Sequence, residues 1–540
     1  MVSIAVLDTT LRDGAQREGI SLSVKDKLRI AQKLDELGVT YIEGGWPGSN
    51  PKDAEFFALA QRMDWQHSKV AAFGSTRKAG VPVERDLNVQ ALLAAGTPVT
   101  VIVAKSSRMH VTDVLGTRLE ENLAMIRDTV SYLKQAGREV LLDAEHFFDG
   151  YKLDAEYTLC AVQVAAEAGA DCVVLCDTNG GTLPSEMMRI IAAVRERYPQ
   201  VALGIHCHND TGMADACTLL AVEAGVSHIQ GTINGYGERC GNANLCTIIP
   251  NLQLKMGYDV LAANRLALLT DVSRTVSEIA NLRPDEHAPY VGSSAFAHKA
   301  GLHVSALLKA RDSYQHAEPE LVGNRMRVLV SELSGRGNIT HKLEELSLGF
   351  GLNDAEVRAI TERVKSLESQ GFQFEGADGS FEILVRRARP GYQPSFHVLD
   401  FTVLVEKRAD TAMLAEAMVK VQVDGKVMHT AAEGLGPVHA LDKALRKALL
   451  PFYPELDRIQ LTDYKVRILD EQSATAAQTR VLVDASDGER SWTTVGSSVN
   501  IIEASFQALL DSLELPLLRR ASQQETGVAM GSDVQGREVR

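Results

Sequence analysis

The chain has 540 residues, 45% of them apolar and 23% charged; this length points to several domains, and the composition excludes a wholly disordered, collagenous or coiled-coil protein. Its 56 basic and 70 acidic residues give a net charge of −14, which argues against a general polyanion-binding surface and leaves room for a local basic pocket. No apolar run is long enough to cross a bilayer, and the opening MVSIAVLDTT has no basic leader, so it reads as a strand and not a signal peptide.

In chain order, the first half repeats a short β-rich run, a turn, an amphipathic helix and a glycine. SIAVL (Ser3–Leu7) opens the series. The helix after it is expected to start at the cap Ser23, to place Val24, Leu28, Ala31, Leu34 and Leu37 on one face, and to end at Gly38 in a left-handed conformation. VTYIE (Val39–Glu43) follows, then KVAAF, AAGTPVTVIV, QAGREVLLD, EAGADCVVL, VALGI and EAGVSHIQG, making eight strand candidates before residue 235. Alternating strands and helices favour a parallel sheet. Eight such units fit an α/β fold of the (β/α)₈ TIM-barrel type, for which about 250 residues is usual. A doubly wound open sheet would instead place a glycine-rich phosphate loop after the first strand, where the sequence reads DTTLRDGAQ.

The barrel is expected over residues 1–265, and a mainly helical connector with small subdomains over 266–394. A C-terminal α+β domain is expected over 395–520. There FHVLDFTVLVE and VKVQVDGKVMHT flank an Asp424-Gly425 hairpin before the helix GPVHALDKALRKAL. IQLTDYKVRIL and TRVLVDASDGERSWTTV repeat the pattern around Asp487-Gly488, before NIIEASFQALLDSL. The tail 521–540 has little to bury and reads as mobile. The seven cysteines lie between Cys160 and Cys246 with no CxxC pair, which suits a reducing, cytoplasmic setting better than a disulfide framework.

Catalytic groups of such barrels gather at the carboxyl ends of strands, and the unusual polar residues fall there. They are Arg12 and Asp13, Glu43, Lys105, Asp143 and Glu145, Asp177 and Thr178, then His206, His208, Asn209 and Asp210, and beyond strand eight NGYGERCGNAN. His206 and His208 stand two apart on an extended segment and so face one point. With Asp13 as carboxylate and Asn242 as a neutral oxygen, they suit a divalent cation, Mg²⁺, Mn²⁺, Zn²⁺ or Co²⁺. Taken alone, an HxH pair reads more readily as two packed polar residues, and the acids at the other strand ends tip the reading towards a metal. Arg12 is a candidate for binding a carboxylate or polarising a carbonyl, or for a structural ion pair with Glu43. Glu145 is a candidate acid/base, with a solvated loop acid as the alternative. Cys207 points away from the histidines and reads as packing, and Cys240 has no evident base beside it. His303 and Tyr314, outside the barrel, are capable of proton transfer, although each alone is more often structural.

The segments LDTTLRDGAQ, GIHCHNDTGMA and NGYGERCGNANL resemble the acyl-CoA-dependent Claisen-condensing family that includes 2-isopropylmalate, homocitrate and citramalate synthases. EGGWPGSNPKD and the C-terminal region are most similar to the citramalate-forming branch. The resemblance runs from about Ser3 to Leu515. It implies a metal shell of Asp13, His206, His208 and Asn242, with Arg12 and Thr178 binding the keto acid and Glu145 in the active site. It also implies that His303 and Tyr314 are offered to the partner's barrel in a homodimer. Acetyl-CoA and pyruvate are the implied substrates, on the route to isoleucine, and the C-terminal domain is implied to be regulatory, binding a branched-chain amino acid with isoleucine favoured. The alternatives are a different keto-acid acceptor, a carbon–carbon lyase on the same barrel, and an amino-acid sensor with an inactive barrel; the last would have damaged ligands.

Overall fold

The computed structural model describes residues 2–262, 264–307, 309–331, 334–348, 352–407, 413–470 and 477–532. By packing, the chain divides into two compact units, Met1–Phe296 with His316–Met326, and Ala297–Gln315 with Arg327–Arg540.

The first unit is a closed barrel of eight parallel strands in sequential order: β1 (Ala5–Asp8), β2 (Tyr41–Gly45), β3 (Lys69–Ser75), β4 (Val99–Lys105), β5 (Glu139–Glu145), β6 (Cys172–Asp177), β7 (Leu203–Cys207) and β8 (His228–Gly231). β8 closes on β1, with Ala5 opposite His228 and Asp8 opposite Gly231. Alternation along each strand divides its side chains between two layers. Inward-facing Leu7, Tyr41, Phe73, Val101, Leu141 and Val174 form one cluster, while the opposite parity packs beneath the surrounding helices. Cys207 belongs to that outer layer, as expected from its place between the histidines.

The first helix shows how locally the pattern is set. Val24–Leu37 begins at Ser23, whose hydroxyl accepts from the Asp26 amide while Asp26 reaches back, and it ends at Gly38 with φ 88°. Ile30, Ala31, Leu34 and Leu37 are buried along one stripe. The first unit extends past residue 265, because the helix Leu269–Ile279 buries Leu269, Val272 and Val276 in the barrel's outer core and Thr270 donates to the Val322 carbonyl.

The second unit contains a two-residue parallel pair, β9 (Ala297–His298) with β10 (Arg327–Val328), and the helices Gly301–Leu307, Arg336–Glu345, Asp354–Ser369 and Asp378–Arg387. Two three-stranded antiparallel sheets follow. The first is β11 (His397–Glu406), β12 (Leu414–Val423) and β13 (Lys426–Gly434), and the second is β14 (Gln460–Ile468), β15 (Thr479–Ser486) and β16 (Ser491–Ser498). Each is followed by a helix, Pro437–Leu449 and Ile501–Ser532, as the repeated sequence pattern implies. The first hairpin turns on Asp424 and Gly425, both at positive φ, with Val423 opposite Lys426. Of the tail 521–540, the part to Ser532 continues the last helix, and 533–540 lie outside the described residues. Among the described residues no helix is long and apolar enough to cross a membrane, and all seven cysteines are free.

Candidate active site and metal centre

The carboxyl ends of the strands surround a cavity of about 610 Å³, with Arg12, Asp13, Asp143, Glu145, His206 and His208 in its wall. The loop after β1 is tied down first. Both Asp8 carboxylate oxygens accept from Thr10, and the Thr10 hydroxyl accepts from the Ile233 amide in the loop after β8. That turn delivers Arg12 and Asp13 to the cavity. Arg12 Nε donates to Glu43 Oε2 at 2.6 Å, and its guanidinium lies 4.0 Å from the centre of the Phe73 ring. The Arg12–Glu43 pair therefore forms, and it aims the guanidinium instead of removing it from the site: Nη1 remains 3.3 Å from Asp13.

β7 brings His206 and His208 to the same point. Their Nε2 atoms stand 3.5 and 3.4 Å from Asp13 Oδ2, and one ligand atom from each of the three residues lies within 4.8 Å of the others. The other ring nitrogens are engaged, His206 Nδ1 with Gln230 Oε1 at 2.7 Å and His208 Nδ1 with the Thr178 carbonyl at 2.6 Å. Were both rings to donate from Nδ1, their Nε2 lone pairs would face the common point. Asp13 Oδ1 and Asn242 Oδ1 are buried without a hydrogen-bond partner among the described residues, and the Asn242 amide nitrogen is spent on the Tyr236 carbonyl. Asn242 bridges His208 across a short antiparallel contact. Two imidazoles, a carboxylate and spare buried oxygens are a donor set that fits a divalent cation with open positions.

The charges are arranged to match. Burial alone would raise the Asp13 carboxyl, but Arg12 and the two imidazoles hold it well below the usual carboxylate range. Burial pushes the Glu43 carboxyl up to about 7 against the pull of Arg12, and it also raises Asp143. On the opposite rim Lys105, at the end of β4, forms an ion pair with Glu145, at the end of β5. Beside it His146, at φ 57°, stacks on His110 with ring centres 3.7 Å apart.

Residues 3–276 match the HMGL-like family model, 290–371 the homocitrate synthase post-HMGL domain-like model, and 375–516 the LeuA allosteric (dimerisation) domain model. The chain is 52% identical over 528 residues to the (R)-citramalate synthase of Synechocystis sp., covering 95% of this chain and 96% of that one. It is 50% identical to the (R)-citramalate synthase of Aquifex aeolicus, over 96% of this chain and 98% of the relative. A probable 2-isopropylmalate synthase of Methanopyrus kandleri is 32% identical over 96% and 99%. The chain belongs to the (R)-citramalate synthase family.

In this family member the barrel brings together Arg12, Asp13, His206 and His208, with Asn242 alongside His208. Thr178 is adjacent through its backbone, and its hydroxyl accepts from the His146 amide at 2.8 Å. Glu145 lines the same cavity. His303 and Tyr314 belong to the second unit, where both are exposed and their rings stack with centres 4.1 Å apart. Reading the sequence alone does not single out Gln230, Phe73 or Arg239. Gln230 carries the one available signal, an uncharged polar residue on an inward position of a core strand. Arg239 lies within the NGYGERCGNAN segment at φ 55°, and donates to both Asp210 oxygens and to the Thr178 carbonyl.

Proposed function

We propose that this chain is an (R)-citramalate synthase, joining the acetyl group of acetyl-CoA to pyruvate and releasing CoA. The observation that carries the reading is the convergence of Asp13, His206 and His208 beside an arginine at the mouth of a barrel from this family. In this reading Asp13, His206, His208 and Asn242 hold a divalent cation, Mg²⁺, Mn²⁺, Zn²⁺ or Co²⁺. Such a cation would supply Lewis-acid polarisation of the keto carbonyl.

The chain's own groups do the rest. Thr178 and Arg12 orient the keto acid, and the Arg12 guanidinium, held by Glu43, faces the oxygen on which negative charge develops. Glu145, His303 and Tyr314 are the candidates for taking a proton from the acetyl methyl group. The new carbon–carbon bond forms as that carbon attacks the pyruvate carbonyl, and the carbonyl π pair moves onto oxygen, which takes up a proton. Hydrolysis of the thioester then frees CoA and citramalate. His303 and Tyr314 act on the partner's barrel in a homodimer, and the 395–520 region binds the branched-chain amino acid that regulates the enzyme, isoleucine first, in a cytoplasmic biosynthetic route to that amino acid. The match of residues 375–516 to the LeuA allosteric (dimerisation) domain supports a dimer and a regulatory role for the C-terminal region.

The test is CoA release from acetyl-CoA with a panel of α-keto acids. Pyruvate should give the highest kcat/KM, about tenfold or more above 2-ketoisovalerate and 2-ketoglutarate, because a site matched to a methyl group discriminates against larger acceptors. Preference for a larger acceptor would overturn the substrate assignment.

A further inference from the structure

We infer that Gln230 and Asp143 are positioning residues, which together fix the tautomer of His206 and so make it a competent cation ligand. The inference rests on the proposed cation site and concerns residues to which nothing above gives a function.

The three groups form a chain through the barrel interior, from β7 through β8 to β5. His206 Nδ1 lies 2.7 Å from Gln230 Oε1, and Gln230 Nε2 lies 2.9 Å from Asp143 Oδ1. Gln230 has no exposed surface, Asp143 is 4% exposed and His206 5%. Gln230 is sealed from solvent, and Asp143 and His206 show only a few per cent of their surface at the cavity wall, so an unsatisfied hydrogen bond within the chain is costly and its polarity is set by chemistry. Burial raises the Asp143 carboxyl, while the positive charge of Arg12 favours its ionised form; ionised, it only accepts, and the glutamine then turns its NH₂ towards it. The amide oxygen then faces His206 and can only accept, and therefore His206 must carry its proton on Nδ1. The lone pair is left on Nε2, the nitrogen that stands 3.5 Å from Asp13. A glutamine is the side chain that passes this instruction from a carboxylate to an imidazole without adding charge. A carboxylate at 230 would face Asp143 as a second buried anion, and an apolar residue would leave both His206 and Asp143 without a partner.

The same carboxylate serves the cation at a distance. Among the described residues the cluster of ligand atoms comprises Asp13, His206 and His208, and Asp143 stands outside it, joined to His206 through Gln230. Its negative charge, passed through the amide dipole, makes the imidazole a stronger electron-pair donor.

The experiment is Co²⁺ titration of the full chain, read by visible absorption of the bound ion and by competition with a chelator, with thermal unfolding of the Co²⁺-free proteins as the control for folding. Gln230→Leu and Gln230→Glu should each weaken Co²⁺ binding about 10- to 100-fold. The decisive variant is Gln230→Glu combined with Asp143→Asn. A carboxylate at 230 can then accept from both His206 and the new amide, so affinity should return to within about threefold of the parent. A merely structural role for Gln230 gives no such rescue.

Binding unchanged in Gln230→Leu, or no recovery in a folded double variant, would overturn the inference while leaving the cation site intact. His206→Ala and His208→Ala separate the two readings. If the parent binds Co²⁺ and these variants bind it equally well, the cation site itself is misplaced, and the inference fails with it.

Discussion

His228 shows what burial does to a single titratable side chain in this barrel. It lies on the inward face of β8, below Gln230, with its ring 5.8 Å from that of Tyr41, and burial pushes its pKa from 6.5 down to about 4. The folded barrel thus refuses a proton that the unfolded chain accepts. Above pH 6.5 the residue is neutral in both states and has no effect. As pH falls from 6.5 towards 4 the unfolded chain is protonated first, and stability drops, by on the order of 3 kcal/mol at full effect. His228→Gln should remove that part of the acid sensitivity: its melting temperature should fall less between pH 6.5 and 4 than the parent's, as measured by scanning calorimetry. Parallel decline in both proteins would show that acid acts elsewhere. At this same scale the sequence was informative for the proposed ligands and for the Arg12–Glu43 pair, and silent about Gln230. The HxH spacing and the acid at position 13 are local patterns with a geometric meaning. The link from Gln230 to His206 and Asp143 joins residues 24 and 87 positions apart, and only barrel closure brings them together.

Among elements, the loop after β8 is the one on which the site most depends. Gly237 and Gly241 have φ 158° and 90°, and a Cβ at either would strike a neighbour, the Asn242 amide for Gly237 and the Gly235 carbonyl oxygen for Gly241. The close approach lets Asn242 lie along His208. Gly241→Ala should therefore displace Asn242 and cost about tenfold or more in cation affinity and turnover. The barrel outside this loop should keep its circular dichroism. Wild-type affinity in the alanine variant would show that Asn242 is not held by this turn. The strands themselves were legible because short β-rich runs alternate with helical segments, and β2, β4, β5, β6 and β8 each closely follow a glycine that ends the preceding repeat; the capping box at Ser23 and the Asp424-Gly425 hairpin follow from local chemistry. What escaped local reading is the return of His316–Met326 to the first unit. That return rests on single long-range bonds, such as those from Asn324 to the Tyr290 and Gly292 carbonyls, and these have no periodicity to announce them.

The molecule as a whole combines a barrel carrying the proposed chemistry with a second unit whose paired sheet–helix repeats match a regulatory domain. If the second unit senses the end product, each branched-chain amino acid added to the full chain should slow CoA release in a saturable way, isoleucine most strongly. The inhibition should disappear on deletion after residue 394 if that truncated chain stays folded and active. Inhibition that persists unchanged in such a truncate would place the effector in the barrel. The repeat and the two turns were readable from sequence, whereas the identity of an effector has no local sequence signature. The account as a whole turns on one point in space shared by Asp13, His206 and His208. The most direct measurement is a crystal structure of the protein with Mn²⁺ and pyruvate, phased to show the manganese by its anomalous scattering. A single peak bonded to both histidine Nε2 atoms and to the Asp13 carboxylate, with pyruvate reaching the same ion beside Arg12, is the expected result; manganese bound elsewhere, or pyruvate away from Arg12, would contradict it.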